Sequence, residues 1–207
     1  MAIRGLYAIT PDGADSERLL PLAARALEGG TRLLQYRNKA APPAQRLAEA
    51  RALVALCERH GAKLIVNDEL ALALEAKAHG LHLGREDGEL AAARTAFRGL
   101  LGASCYDSLE LAKRAAAAGA DYIAFGSVFP STTKPGAVRA PLSLFAAARP
   151  LGLPMVAIGG ITLQNAPQLV AAGADGLAVI SALFDAPDVA AAARAFNQLY
   201  AQEAALR

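Results

Sequence analysis

In the stretch RLLQYRNK, Gln35, Arg37 and Lys39 occupy every second position after the apolar pair Leu33 and Leu34. Residues two apart on a strand share a face, so this spacing aims an amide, a guanidinium and an ammonium in one direction. Such a set suits an anion. Two carboxylates stand further along, Asp68 in VNDE and Asp87 in GREDGE. Mg²⁺ takes one or two carboxylates together with waters and substrate phosphates, so the cationic stretch and the two aspartates together fit Mg²⁺ held against phosphate oxygens. Each aspartate alone also reads as a helix N-cap, Asp68 ahead of ELALALEA and Asp87 ahead of ELAAART,.

A second group of anion-binding character lies towards the C-terminus. Gly159 and Gly160 in AIGGI, and Ile180 and Ser181 in AVIS, end two apolar runs. Bare backbone N–H groups at such ends can cradle a phosphate, although a double glycine is also the signature of a tight turn. Two anion sites, one with a metal and one built of backbone, ask for one substrate with a diphosphate and another with a monophosphate. Between them FPSTTKPGA carries Ser131, Thr132, Thr133 and Lys134 beside Pro135 and Gly136, the composition of a loop that closes over a site. Asn67 and Ser104 end two further apolar runs. His60 and His79 stand near helix ends, where solvation is expected. His82 alternates with Leu81 and Leu83 and reads either as a structural residue or as a general acid or base,. No Ser-His-Asp order, Cys-His pair, P-loop or G-x-G-x-x-G fingerprint is present,.

The elements that would position these residues follow from short apolar runs: 5–10, 32–37, 63–67, 80–84, 100–105, 122–128, 154–160 and 176–181. Between them lie Ala/Leu/Glu/Arg-rich stretches with helical spacing, closed by Gly29, Gly61, Gly119 and Gly173 where a helix C-cap is expected,. Continuous apolar strands separated by helices imply a parallel sheet covered by helices. Eight units of roughly 25 residues nearly exhaust the 207-residue chain, so the sequence predicts a single-domain (β/α)₈ TIM barrel spanning 1–207, with a doubly wound open sheet as the alternative. AAGADYIAFGS and AAGADGLAVIS repeat one helix end, turn and strand,. In a barrel the strand ends form one rim, and nearly every chemistry-bearing residue named above falls there.

Composition narrows the partners. With 21 Lys and Arg against 19 Asp and Glu the net charge is +2, and the arginines are dispersed. That argues against nucleic acid and membrane as partners while leaving a local anion site. No apolar run reaches bilayer length and the start does not read as a signal peptide, so a cytoplasmic protein is expected. Cys57 and Cys105 match no zinc or redox spacing and are expected as reduced, buried thiols,. Apolar helix faces leave room for a homo-oligomer.

QYRNK, VND, GLHLGRED, GAS, FGSVFPSTTK, AIGGI and AGADGLAVIS, in this order, resemble the thiamine-phosphate synthase family across essentially the whole chain. The resemblance implies a transferase that joins 4-amino-2-methyl-5-hydroxymethylpyrimidine diphosphate to hydroxyethylthiazole phosphate, releasing diphosphate by a dissociative route. By the same motifs Gln35, Arg37, Lys39, Asn67, Ser104 and Lys134 would hold the pyrimidine diphosphate, with Tyr36 and Asn38 of QYRNK beside them. Asp68 and Asp87 would hold Mg²⁺. Ser131, Thr132, Thr133, Gly160, Ile180 and Ser181 would line the thiazole phosphate site. Arg37, Lys39 and Lys134 would be the catalytic positives. The family's usual Thr after FP is Ser131 here, which keeps the hydroxyl. Two other functions fit the scaffold: a thiazole tautomerase-like isomerase, and a non-catalytic ligand-binding regulator. Neither needs both the Gln-x-Arg-x-Lys run and the two aspartates.

Overall fold

The computed structural model describes residues 3–13, 16–85, 88–130, 136 and 138–205. Its strands are β1 (Gly5–Ile9), β2 (Leu33–Tyr36), β3 (Lys63–Asn67), β4 (Gly80–Leu83), β5 (Leu100–Tyr106), β6 (Tyr122–Phe125), β7 (Met155–Ile158) and β8 (Gly176–Val179). All pair in parallel with their sequence neighbours, and β1 pairs with β8 to close the barrel. Seven of the eight apolar runs contain one of these strands whole, and β5 runs one residue past the expected 100–105. The open-sheet alternative fails because β1 meets β8 and no edge is left.

The helices between them are α1 (Ser16–Glu28), α2 (Pro43–Arg59), α3 (Leu70–Glu75), α4 (Leu90–Ala96), α5 (Leu109–Ala117), α6 (Ser143–Ala148), α7 (Ala166–Ala172), α8 (Ser181–Phe184) and α9 (Val189–Ala205). No helix among the described residues is long and apolar enough to cross a membrane. Strand alternation sorts the core into two layers. Ile3, Tyr7, Ile9, Leu33, Ile65, Tyr122, Ala124, Val156 and Ala178 pack inside the barrel. A larger cluster that includes Leu34, Tyr36, Leu53, Leu64, Phe125, Phe145 and Phe196 fills the space between sheet and helices. Leu33 and Leu34 are therefore both buried but on opposite faces of the sheet. Cys57 and Cys105 are free and buried, and burial pushes each thiol up to about 12.

The repeated Gly-Ala-Asp junction does the same work twice. Asp121 exchanges backbone and side-chain bonds with Leu101: its N–H donates to the Leu101 carbonyl and its Oδ2 accepts the Leu101 N–H, both at 2.7 Å. Asp175 repeats this on Met155, at 2.7 and 2.9 Å. Arg94 and Arg149 are the respective cationic partners. A carboxylate at this position ties the start of one strand to the start of the one before it.

Gly61, Gly119 and Gly173 take positive φ after their helices, as C-capping requires,. At the end of α1 the left-handed residue is Gly30, at φ 90°, and Gly29 has a different task. A Cβ on Gly29 would lie 2.5 Å from the Ala190 carbonyl and from Ala193 Cβ. Its lack of a side chain is what lets α1 and α9 approach.

His79 is not solvated as its position near a helix end suggested. Its Nδ1 accepts the Leu64 N–H at 3.1 Å, and Nε2 lies 3.8 Å from Glu58. Burial, then Lys63, holds its pKa below the ordinary value of 6.5, with Glu58 opposing. A depressed pKa means that the unfolded chain binds the proton first. The stability this group contributes is complete above about pH 6.5 and is lost as pH falls below it. A plot of melting temperature against pH should therefore slope downward below neutrality, and the slope should be smaller in His79→Asn.

Candidate active site

A cavity of about 590 Å³ opens at the C-terminal rim of the barrel, a size usual for small-molecule sites. Tyr7, Gln35, Arg37, Lys39, Asn67, Asp68, His82 and Ser104 line one side, and Gly159, Gly160, Ile161, Thr162, Ile180 and Ser181 line the other. The cationic stretch Gln35, Arg37 and Lys39 and the glycine-rich group that begins at Gly159, more than a hundred positions apart in the chain, thus face one space.

Strand β2 shows how the sequence places its part. Leu33 points into the barrel and Leu34 out to the helices, so Gln35 points in again and Arg37 and Lys39 continue the same column beyond the strand end. Thr10 fixes that column, since its Oγ1 accepts the Arg37 N–H at 2.9 Å and donates to the Arg37 carbonyl at 3.0 Å. Tyr36 and Asn38 fall on the other face. Both donate to the buried Glu49 of α2, at 2.5 and 3.1 Å, and neither lines the cavity. Through Glu49 they anchor the loop that carries Arg37 and Lys39. The two-residue period of the strand sends neighbours of Gln35 and Arg37 the opposite way. Burial and the Glu49 carboxylate push the Tyr36 phenol up.

Asp12, which the sequence pattern did not single out, organises the cationic arm. Its carboxylate accepts from Arg37 Nη1 at 2.6 Å and from the Lys39 backbone N–H at 2.7 Å. The signal was its position in the loop after β1, a neighbour of β2. Asp68 lies opposite, 2.6 Å from Lys39 Nζ. It does not cap α3, whose capping position is Glu69, with no side-chain capping bond. The left-handed backbone at Asp68, φ 64°, and its N–H donating to the His82 carbonyl at 2.8 Å turn the residue out of the capping geometry. Asp68 and Asn67 present hard oxygen donors to the cavity. Among the described residues no group of three or more His, Cys, Asp or Glu is assembled that could hold a metal. Mg²⁺ needs only one or two carboxylates when phosphates and waters complete its shell, and Asp68 meets that requirement. The second expected ligand, Asp87, and the expected Ser131, Thr132, Thr133 and Lys134 lie outside the described residues.

The double glycine serves a packing role alongside any role towards a ligand. Val128 and Phe129 donate to the carbonyls of Ile158 and Gly159 at 2.9 and 3.1 Å, so the chain after β6 lies flat on the end of β7. A Cβ on Gly160 would lie 2.1 Å from the Pro130 carbonyl oxygen, and Gly160 has φ 62°. At the far end of the same loop Ala140 donates to the Ser127 carbonyl at 3.0 Å and Ser127 donates to the Val138 carbonyl at 3.3 Å. Both roots of the segment carrying Lys134 are therefore pinned at the cavity rim.

The floor of the cavity holds what strand alternation alone could not reveal. Gln35 Nε2 donates to the Tyr7 hydroxyl at 2.8 Å, the hydroxyls of Tyr7 and Tyr122 meet at 2.8 Å, and Tyr122 reaches His82 Nδ1 at 3.1 Å. His82 Nε2 then lies 2.9 Å from Ser104 Oγ. Burial pushes the His82 imidazole down to about 4, against the opposing pull of Asp68, and burial pushes both phenols well above their ordinary range. At neutral pH all five groups are uncharged.

Residues 6–183 match the family model described as thiamine monophosphate synthase. The chain is 58% identical over 195 residues to the thiamine-phosphate synthase of Chromobacterium violaceum, spanning 93% of this chain and 94% of that protein. It is 54% identical over 200 residues to that of Methylobacillus flagellatus, spanning 96% of each. Among solved structures, the thiamine phosphate pyrophosphorylase from Pyrococcus furiosus superposes with a TM-score of 0.86 at 33% identity, covering 97% of both chains. With a (β/α)₈ barrel, a cavity at its rim and full-length similarity of this degree, the chain belongs to the thiamine monophosphate synthase family.

Proposed function

We propose that the rim cavity joins 4-amino-2-methyl-5-hydroxymethylpyrimidine diphosphate to hydroxyethylthiazole phosphate, giving thiamine monophosphate and diphosphate, in the cytoplasm. The observation that carries this reading is that Arg37, Lys39 and Asp68 share one cavity with Gly160, Ile180 and Ser181. A diphosphate and a monophosphate can then bind across the same mouth.

In the reaction the C–O bond between the pyrimidine methylene and the diphosphate breaks, and the diphosphate leaves with the bonding pair. The electron-rich aminopyrimidine stabilises the positive charge left on the methylene. The thiazole nitrogen lone pair then forms the new C–N bond, so the step requires no protein nucleophile and no proton transfer. Arg37 and Lys39, with Lys134 from the loop after β6, act as fixed positive charges where negative charge develops on the leaving group. Asp68, with Asp87, would hold Mg²⁺, which when bound supplies Lewis-acid stabilisation of that same charge. Backbone amides at Gly160 and at the first turn of α8 hold the thiazole phosphate, and Ser131, Thr132 and Thr133 would add hydroxyl donors to it. Holding both reactants in one cavity makes the attack effectively unimolecular, and loop closure keeps water from the cation.

The direct test is incubation with both substrates and Mg²⁺, with chromatography for thiamine phosphate and diphosphate. Omitting the pyrimidine diphosphate and following the thiazole phosphate alone distinguishes an isomerase. Asp68→Ala should need more Mg²⁺ for half-maximal rate. Saturation at the unaltered concentration would remove Asp68 from the metal shell.

A further inference from the structure

We infer that His82 is a positioning residue, held as the neutral Nε2–H tautomer by the chain Gln35–Tyr7–Tyr122, and that it turns the Ser104 hydroxyl hydrogen into the cavity. The inference rests on the reading of Ser104 as a contact to the pyrimidine substrate. It adds the groups that decide what Ser104 can offer.

The argument is one of donors and acceptors. An amide nitrogen only donates, so at the Gln35 contact the Tyr7 oxygen accepts (2.8 Å). Either hydroxyl could donate at the 2.8 Å contact between Tyr7 and Tyr122, and we assign the Tyr7 hydrogen to the Tyr122 oxygen. Tyr122 in turn has one hydrogen to give, and His82 Nδ1 at 3.1 Å takes it. Nδ1 is therefore bare, and the single ring proton of neutral His82 sits on Nε2, where it is donated to Ser104 Oγ at 2.9 Å. Ser104 cannot return its own hydrogen to His82. That hydrogen is left for the cavity that Ser104 lines, as a donor suited to a ring nitrogen of an aminopyrimidine, which only accepts.

Turning the Gln35 amide over would reverse every link. Tyr7 would donate to Gln35 Oε1, the ring proton would move to Nδ1, and Ser104 would face the cavity as an acceptor. The two polarities differ in one observable, the tautomer of His82. Packing holds the chain in place: Tyr122 stacks on His82 with ring centroids 5.5 Å apart and meets Tyr7 edge-on at 6.0 Å. Tyr7 and Tyr122 are almost completely buried and His82 is 7% exposed.

Nuclear magnetic resonance of protein carrying ¹⁵N-labelled histidine, without substrate, reads the tautomer, and the His82→Phe variant assigns the resonances. The expected result is a bare Nδ1 and a protonated Nε2 on His82. A proton on Nδ1 overturns the inference. Steady-state kinetics supplies the second arm. Tyr122→Phe and His82→Phe keep the rings and should raise KM for the pyrimidine diphosphate about tenfold, the effect of one lost hydrogen bond at a binding group, with KM for the thiazole phosphate unchanged. His82→Gln restores a donor near Ser104 and should recover part of the loss. In a Ser104→Ala background His82→Phe should add nothing, because a residue acting through Ser104 has no effect without it. Equal effects on both KM values, additivity with Ser104→Ala, or a Gln variant no better than Phe would each overturn the inference. The resonance arm needs no turnover, so a protein that formed no thiamine phosphate would count against the proposed reaction and leave the tautomer result standing.

Discussion

Arg37→Ala should lower kcat for thiamine phosphate formation by about 10²- to 10³-fold, the scale seen when one fixed donor to a developing negative charge is removed. KM for the thiazole phosphate should stay within about twofold, since that substrate is held across the mouth. The size of the effect follows from how rigidly the guanidinium is held. Asp12 Oδ2 takes Nη1 at 2.6 Å, Thr10 fixes the backbone on both sides, and the side chain is only 19% exposed. A group held this way pays little to reorganise as charge develops. Arg37→Lys should recover only part of the loss, because an ammonium cannot serve Asp12 and a phosphate oxygen with a planar fork. Pre-steady-state measurement of diphosphate release decides the matter. Chemistry as fast as in the unaltered protein would take Arg37 out of the leaving-group site.

Gly102→Ala should be strongly destabilising for a single added methyl. A Cβ there would lie 2.1 Å from Tyr122 Cζ and 2.4 Å from its hydroxyl oxygen. Tyr122 has nowhere to go, for it is fully buried and bonded to both Tyr7 and His82. Overpacking costs about 1–3 kcal/mol, and breaking the buried hydrogen bonds adds about as much again. At about 2–4 °C per kcal/mol for a domain of this size, the melting temperature should fall by about 10 °C. The polar floor, and with it Ser104, should be disordered. A second-site change tells the cause: Tyr122→Leu on the Gly102→Ala background removes the clashing ring atoms and should return much of the lost melting temperature. Tyr122→Phe keeps Cζ and should not. Equal behaviour of the two double variants would show that the ring is not what Gly102 accommodates.

How much of this was legible beforehand depended on the range of the interaction. The strand at 33–36 could be read because its hydrophobicity is local, and the period of two then assigned Gln35, Arg37 and Lys39 to one face with no tertiary information. The same period should have sent Tyr36 and Asn38 to Glu49, and treating QYRNK as one motif hid this. Taken alone, Asp68 also reads as a cap, because capping residues are recognised by sequence distance. Its backbone at φ 64° and its pairing with Lys39 depend on how β3 meets β2. Gly29 was taken for the cap that Gly30 provides, since two adjacent glycines look alike until the packing of α9 against α1 separates them.

By itself the sequence determined the eight-unit alternation, the rim on which the chemistry-bearing residues fall and the family resemblance, because each is written in local periodicity or in short motifs. The tertiary structure alone decided which of those residues meet. Gln35, Tyr7, Tyr122, His82 and Ser104 form one chain although Tyr7 and Tyr122 stand 115 positions apart. Only closure of β1 on β8, and the register that sets Gly102 beside Tyr122, bring them to one floor. Alternation fixes the face of the sheet on which a side chain lies. The stagger and curvature of the closed barrel fix its neighbours, and no window of sequence contains them.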